Sequence, residues 1–388
     1  MTSHLKIFFT NRNSLAVGIA FFLLGFLFGN WATLIPFVKS NYQIDDAILG
    51  LMLLCLPLGA MTFNPFAAMM IQKFGMQRMT VIGMFLLSTA YALPLSLPYI
   101  FIVPIGLVTV GVCMTTLNIA ANTMATSLEQ TERINIMSTC HGMFSVGLMT
   151  GSLMRSVTLL IGLSERNHMF LMCSIGIILA LIVAKTILQI KSMPVVQNEA
   201  PEKFKLILPK GALMVIIIIS ICINVTEGSM TDWASLYMKE IVETSPYFVG
   251  WGLFGYSSFM ALGRFFGDGI IPVYGKNKIL TYGAIVACVG LLTMIIFPYT
   301  WTAIFGFALI GLGVSCGAPI LYAAAARYPG MPNAGGLAIM NTFAMGGFLL
   351  GPVVIGFISD LTSLPVAFGF VAVLGMLWFW KAKDADLF

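Results

Sequence analysis

Apolar residues run along this chain in blocks of about twenty, and polar positions fall in short clusters between them. Blocks of that length suit helices crossing a bilayer at 1.5 Å per residue, whereas membrane strands need only about ten alternating residues. The pattern predicts twelve spans, at 14–38, 45–71, 78–97, 99–127, 134–160, 168–190, 210–236, 246–271, 278–297, 301–326, 333–359 and 364–381. The long polar connector KSMPVVQNEAPEKFKLILPK, over 191–210, holds three prolines and stands midway. The expected organisation is an all-α membrane protein of twelve transmembrane helices in two pseudo-symmetric six-helix bundles. The N-terminal bundle covers 1–190, a linker 191–209, and the C-terminal bundle 210–388.

An internal repeat supports the division. A shift of 202 residues lays TDWASL (Thr231–Leu236) on GNWATL (Gly29–Leu34), so that Asp232 meets Asn30 and Trp233 meets Trp31. At a shift of 200, Gly50, Gly106, Gly111, Gly147 and Gly151 meet Gly250, Gly306, Gly311, Gly347 and Gly351, and His141 meets Asn341. Two equivalent halves of membrane helices describe a transporter whose site lies where the halves meet.

Composition sharpens this picture. Hydrophobic residues make up 59% and charged residues 9% of the 388, against about 25% charged in soluble domains. Lipid is therefore the solvent, and the net charge of +5 needs no nucleic-acid partner. Of the 20 Lys and Arg, fifteen fall on the side of both termini and the linker. Lys39, Arg155, Arg166 and Lys239 fall on the other side, and Arg264 lies within a span. That asymmetry predicts cytoplasmic termini in a bacterial inner membrane. The seven cysteines have no paired spacing, so neither a disulfide framework nor a metal site is expected. No nucleophile–base set or phosphate loop appears, which argues against an enzyme, and no cofactor is expected.

Polar residues inside the spans carry the candidate chemistry. Glu227 follows LMVIIIISICI and is the acidic residue set deepest in any span. A carboxylate there costs roughly 2.5–3.5 kcal/mol unless it faces a cavity or a partner. It is either a structural ion pair or a substrate- or proton-binding group. Asn224, Glu227 and Thr231 share a face of the seventh span, Asn118 and Asn122 a face of the fourth, and Ser138, His141 and Ser145 a face of the fifth. By length along their helices, Asn30 and Glu227 stand at one level in the outer half, with Asn118, Asn122 and His141 in the inner half. Trp31 is the candidate for stacking on a sugar ring. Trp233 reads equally as an interfacial belt residue, and Trp251, Trp301, Trp378 and Trp380 read as belt or anchor residues. Arg264 and Asp268, at i and i+4 in GRFFGD, read as a structural or gating ion pair and not as a ligand site.

The chain resembles the major facilitator superfamily, in particular its fucose-permease-like branch of sugar symporters. The resemblance rests on QKFGMQR (Gln72–Arg78) between the second and third spans, and on NIAANTM followed by ERINIMSTCHGMFSVG over the fourth and fifth. It implies alternating access with proton symport of a sugar. In that branch a glutamate precedes the Ala120-Ala121-Asn122 run, and Asn118 stands there instead. An asparagine serving the sugar in the fifth helix is replaced by His141. Proton coupling would then pass to Glu227 or His141, or the protein is a uniporter. Drug efflux by antiport is the alternative, weakened because the fourth span lacks the arginine of that group. The expected substrate-binding set is Asn30, Trp31, Asn118, Asn122, His141, Glu227 and Asn341. The expected partners are a small solute such as a sugar, protons and the lipid bilayer, with the protein acting as a monomer.

Overall fold

A computed structural model describes residues 3–191, 211–328, 335–383 and 385, except for the side chains of residues 3, 4, 268, 335 and 338. The linker beyond residue 191 lies outside the described residues. After a short helix, Ser3–Thr10, the N-terminal half comprises α1 (Arg12–Tyr42), α2 (Asp46–Phe74), α3 (Met76–Leu95), α4 (Ile102–Glu132), α5 (Met137–Leu160) and α6 (Glu165–Gln189). The C-terminal half comprises α7 (Ala212–Glu240), α8 (Trp251–Tyr274), α9 (Lys276–Ile296), α10 (Thr300–Ala326), α11 (Gly335–Leu361) and α12 (Leu364–Lys383). The twelve expected spans are present, and several run farther than the hydropathy pattern predicts. α7, for instance, continues to Glu240 rather than ending at 236. Backbone hydrogen bonds closed within each helix are what permit such segments to sit in hydrocarbon.

Among the described residues three helices break and then resume as regular α-helix, and proline explains each break. Regular helix stops at Ala32, Leu53 and Val314 and resumes at Ile35, Cys55 and Gly317. Pro36, Pro57 and Pro319 follow a few residues on. Each lacks the N–H that would bond the carbonyl four residues back, at Ala32, Leu53 and Ser315, and each ring crowds that carbonyl.

Packing repeats between the halves. α1 lies on α5 and α6, α2 on α4, and α3 on α4 and α6; correspondingly α7 lies on α11 and α12, α8 on α10, and α9 on α10 and α12. The halves meet through α5 against α8 and α2 against α11, two contacts that the pseudo-symmetry interchanges, with α7 touching α1 between them. Apolar side chains such as Leu160, Ile182, Val273 and Leu361 are exposed on the outside, where acyl chains would cover them. Trp301 and Trp380 are exposed as expected of belt residues, but Trp233 and Trp378 are buried. Both indoles are inside the protein, so for them the interfacial reading is corrected to core packing.

The equivalent α1–α5 and α7–α11 seams differ in closeness. A Cβ at Gly25 would lie 2.0 Å from the Phe144 carbonyl oxygen, at Gly147 2.1 Å from that of Phe22, and at Gly151 2.2 Å from that of Phe26. Backbone therefore lies directly on backbone, as small-residue helix packing in membranes allows. At Gly347 the nearest atom would be 3.4 Å away, and at Gly351 3.9 Å. At this pair of seams the glycine repeat is thus used for close packing in the N-terminal half only. We expect Gly147→Ala to destabilise the purified protein by about 1–3 kcal/mol, the usual cost of overpacking. Gly351→Ala should leave its thermal unfolding midpoint unchanged; equal losses at both positions would contradict the asymmetry.

Candidate translocation site

A cavity of about 190 Å³ lies where the halves meet. α1 contributes Phe28 and Trp31, α2 Leu53, Leu56 and Pro57, α4 Leu107 and Met114, and α5 Phe144 and Leu148. From the other half come Glu227, Gly228, Thr231 and Asp232 of α7, Tyr256, Met260 and Arg264 of α8, and Phe348 of α11. The α7 residues follow an i, i+1, i+4, i+5 spacing, which is one face of a helix. Trp31 stands immediately before the α1 break, and Leu53 and Pro57 flank the α2 break, so irregular backbone borders the cavity, as in transporter sites generally.

Arg264 connects the halves at this cavity. Its guanidinium lies 3.6 Å from Glu227 Oε1, an ion pair too long for a hydrogen bond. Nη1 donates to Ser145 Oγ at 2.9 Å and more weakly to the His141 carbonyl at 3.5 Å, both on α5. Ser138 Oγ in turn donates to the Arg264 carbonyl at 3.0 Å. The whole Ser138–His141–Ser145 face of α5 therefore docks one arginine of α8. A second, larger cavity of about 600 Å³ continues from this point toward the side of the termini. His141, Glu129 and Ser138 line it from the N-terminal half, and Ser315 and Tyr322 from the C-terminal half. Arg264 lines both cavities and stands between them.

The opposite end is latched. Lys39 Nζ, on the last turns of α1, lies 2.7 Å from Asp46 Oδ1 on α2 and 2.6 Å from Glu240 Oε2 at the end of α7. Ser359 of α11 donates to Asp46 Oδ2. Lys239 Nζ donates back across the interface to the Pro36 carbonyl at 3.2 Å and Ser40 Oγ at 3.3 Å. Lys39 and Lys239 are 200 residues apart, so the duplication supplies one lysine from each half, each reaching into the other. The close approaches of α2 and α11, Gly50 to the Pro352 carbonyl and Gly356 to that of Asp46, are at this same end.

The expected site residues divide into three groups. Trp31 and Glu227 line the central cavity, and His141 lines the one beside it. Asn30 is fully buried, donates to the Phe26 carbonyl at 2.8 Å and packs against Gly151, so it lies in the α1–α5 seam and not on the cavity. Asn122 donates to the Asn118 carbonyl at 2.8 Å within α4, and neither asparagine is among the lining of the two cavities. Asn341 is on an exposed face of α11, likewise apart from both linings. The Asp268 side chain lies outside the described residues, so the Arg264–Asp268 pairing does too; the described partner of Arg264 is Glu227. Asp232, Tyr256 and Arg264 join the cavity without having been assigned to it from sequence. A single arginine inside a span opposite a polar helix face was the available signal for Arg264, and the continuation of α7 to Glu240 brings Asp232 inward.

The family model of the Major Facilitator Superfamily matches residues 17–245 and 217–384. The chain belongs to that superfamily. An uncharacterised transporter of this type from Yersinia pestis is 33% identical over 362 residues, covering 92% of this chain and 91% of the relative. The membrane protein MosC of Rhizobium meliloti is 27% identical over 376 residues, 93% of this chain and 87% of that protein. Among solved structures, a mutant of the nucleoside transporter NupG matches with a TM-score of 0.74 at 13% identity, covering 97% of this chain and all of that one. The Escherichia coli fucose:proton symporter FucP matches at 0.64 and 17%, covering 96% and 98%. At such identities the structural likeness shows the fold alone. The protein is a transporter, not an enzyme.

Breaking the latch is expected to cost about 1–2 kcal/mol of the closed state, a factor of roughly 5–30 in its population. In a background without native cysteines, Lys39→Gln should accelerate labelling of Thr231→Cys by an impermeant thiol reagent added on the side remote from the termini. An unchanged labelling rate would show that the lysine pairs do not hold that end shut.

Proposed function

We propose that this protein moves a small polar solute, a monosaccharide or a compound of similar size and polarity, by alternating access with proton symport. The observation that carries the reading is the Glu227–Arg264 pair in a cavity walled by both halves. A carboxylate and a guanidinium inside the membrane need each other or water, and a hydroxylated solute offers hydrogen bonds to both. The aromatic walls, Trp31, Phe28, Phe144 and Phe348, suit the C–H faces of a sugar ring. The structural neighbours NupG, a nucleoside transporter, and FucP, a fucose:proton symporter, support the same range of solutes.

The Lys and Arg distribution supports cytoplasmic termini and a bacterial inner membrane. On that reading the Lys39–Asp46–Glu240 latch closes the outer face and the larger cavity leads inward. Glu227 is the coupling group we favour. Protonation would cancel its attraction for Arg264 and let α8 shift on α7 while the solute occupies the cavity. His141 is next in line, because its ring borders the inward cavity one residue contact from Arg264.

A thermal-shift screen of monosaccharides, nucleosides and amphiphilic cations identifies the solute to be used; stabilisation by the cations alone would overturn the proposal. With that solute, Glu227→Gln should preserve exchange across proteoliposome membranes and abolish accumulation under a proton gradient. Undiminished gradient-driven uptake would leave Glu227 a structural residue.

A further inference from the structure

The charges in the central cavity do not balance. Its lining holds two carboxylates, Glu227 and Asp232, and one cation, Arg264. Arg264 is engaged by Glu227, Ser145 and the His141 carbonyl. Asp232 has no hydrogen-bond or ion-pair partner among the described residues. The lysines at the nearby end of the interface are also committed: Lys39 to Asp46 and Glu240, and Lys239 to Pro36 and Ser40. Two further polar atoms around the same cavity are unsatisfied. Tyr256 is fully buried and its hydroxyl has no partner among the described residues, and Glu227 Oε1, though 3.6 Å from Arg264, accepts no hydrogen bond there. Buried polar groups in native proteins are ordinarily paired, so these two atoms, beside a half-buried Asp232 without a partner, are groups that a ligand in the cavity would satisfy.

We propose that the central cavity binds a polyhydroxylated solute carrying one protonated amine, with the ammonium on Asp232 and hydroxyls toward Tyr256 and Glu227. The assignment rests on the transport reading above and narrows it. An ammonium is the complement that gives Asp232 an opposite charge, and nearby aromatic faces attract cations as well. Trp31, Phe28, Phe144 and Phe348 supply such faces around the same cavity. A neutral sugar would desolvate Asp232 without replacing its lost water by a charge. An anionic solute would meet two carboxylates against one guanidinium already in use. The duplication makes the same point: at the position equivalent to Asp232 the N-terminal half has Asn30, which is turned into the α1–α5 seam. The cavity therefore carries its extra negative charge on one wall, which would orient an amine toward α7.

The test uses the full-length protein in detergent and three matched sets at neutral pH: glucose, galactose and mannose, their 2-amino-2-deoxy forms, and the N-acetylated forms of those amines. Acetylation keeps the nitrogen and removes its charge. We expect at least one amine to bind on the order of tenfold more tightly than both its hydroxyl and its acetylated counterpart, the scale of one charge-assisted hydrogen bond. Asp232→Asn should erase that preference, and Asp232→Glu, which keeps the charge, should retain part of it. Thermal unfolding of both variants separates loss of the ligand from loss of the fold. The assignment is overturned if no amine outranks its counterparts, or if the preference survives in Asp232→Asn. Binding of the hydroxyl forms alone would sink the amine assignment and leave transport of neutral solutes standing. No binding by these nine compounds, or by any other solute in the broader screen, would remove both.

Discussion

A charge in the interior of a bilayer has to be paired or hydrated, and here that requirement falls on a single guanidinium. Arg264 is supplied by one half of the molecule, and its hydrogen-bond acceptors by the other. The carboxylate it neutralises, Glu227, belongs to its own half but faces the shared cavity. The same side chain thus joins the halves, partitions the two cavities and offsets the most deeply placed acid of α7. The 3.6 Å separation leaves this pair looser than the 2.6–2.7 Å pairs around Lys39. The central pair is thus the looser one, and the tight pairs stand at one end of the interface.

The latch and the seams divide the mechanical roles. The duplicated lysines hold the end remote from the termini, and the backbone contacts of α2 with α11 reinforce it there. α5 is in contact with α8 and with the turn that precedes it, from Ser138 with the Arg264 carbonyl at one end to Ser156 with the Tyr247 carbonyl at the other. Within the N-terminal half, Gly25, Gly147 and Gly151 leave no room between α1 and α5. The looser contacts at Gly347 and Gly351 leave α11 free space beside α7. The α7–α11 seam therefore has room for small side chains that the α1–α5 seam lacks.

Much of the fold was legible in the sequence because lipid imposes a simple rule: about twenty apolar residues to a span, and positive charge on one side. The repeat at 200–202 residues was equally plain, and the two lysines of the latch fit its register. Individual site residues were less legible, because a polar side chain in a span can satisfy itself locally. Asn30 and Asn122 each bond a carbonyl four residues back, a use of asparagine that hydropathy cannot distinguish from a place on a cavity. The i, i+4 spacing of Arg264 and Asp268 is visible along one helix, whereas the 3.6 Å approach of Arg264 to Glu227 joins two and is not. Helix breaks escaped the hydropathy pattern but follow from Pro36, Pro57 and Pro319, whose missing N–H groups are evident in the sequence.

The central claim is that Glu227 and Arg264 act as one unit, and a double-mutant cycle on unfolding stability tests it most directly. Arg264→Gln alone leaves a buried carboxylate without its partner, and should destabilise the purified protein by roughly 3–5 kcal/mol. Adding Glu227→Gln removes the stranded charge, so the double variant should recover most of that loss, with a coupling of at least about 1 kcal/mol. Losses that simply add, or a double variant less stable than Arg264→Gln alone, would contradict the pairing on which this account depends.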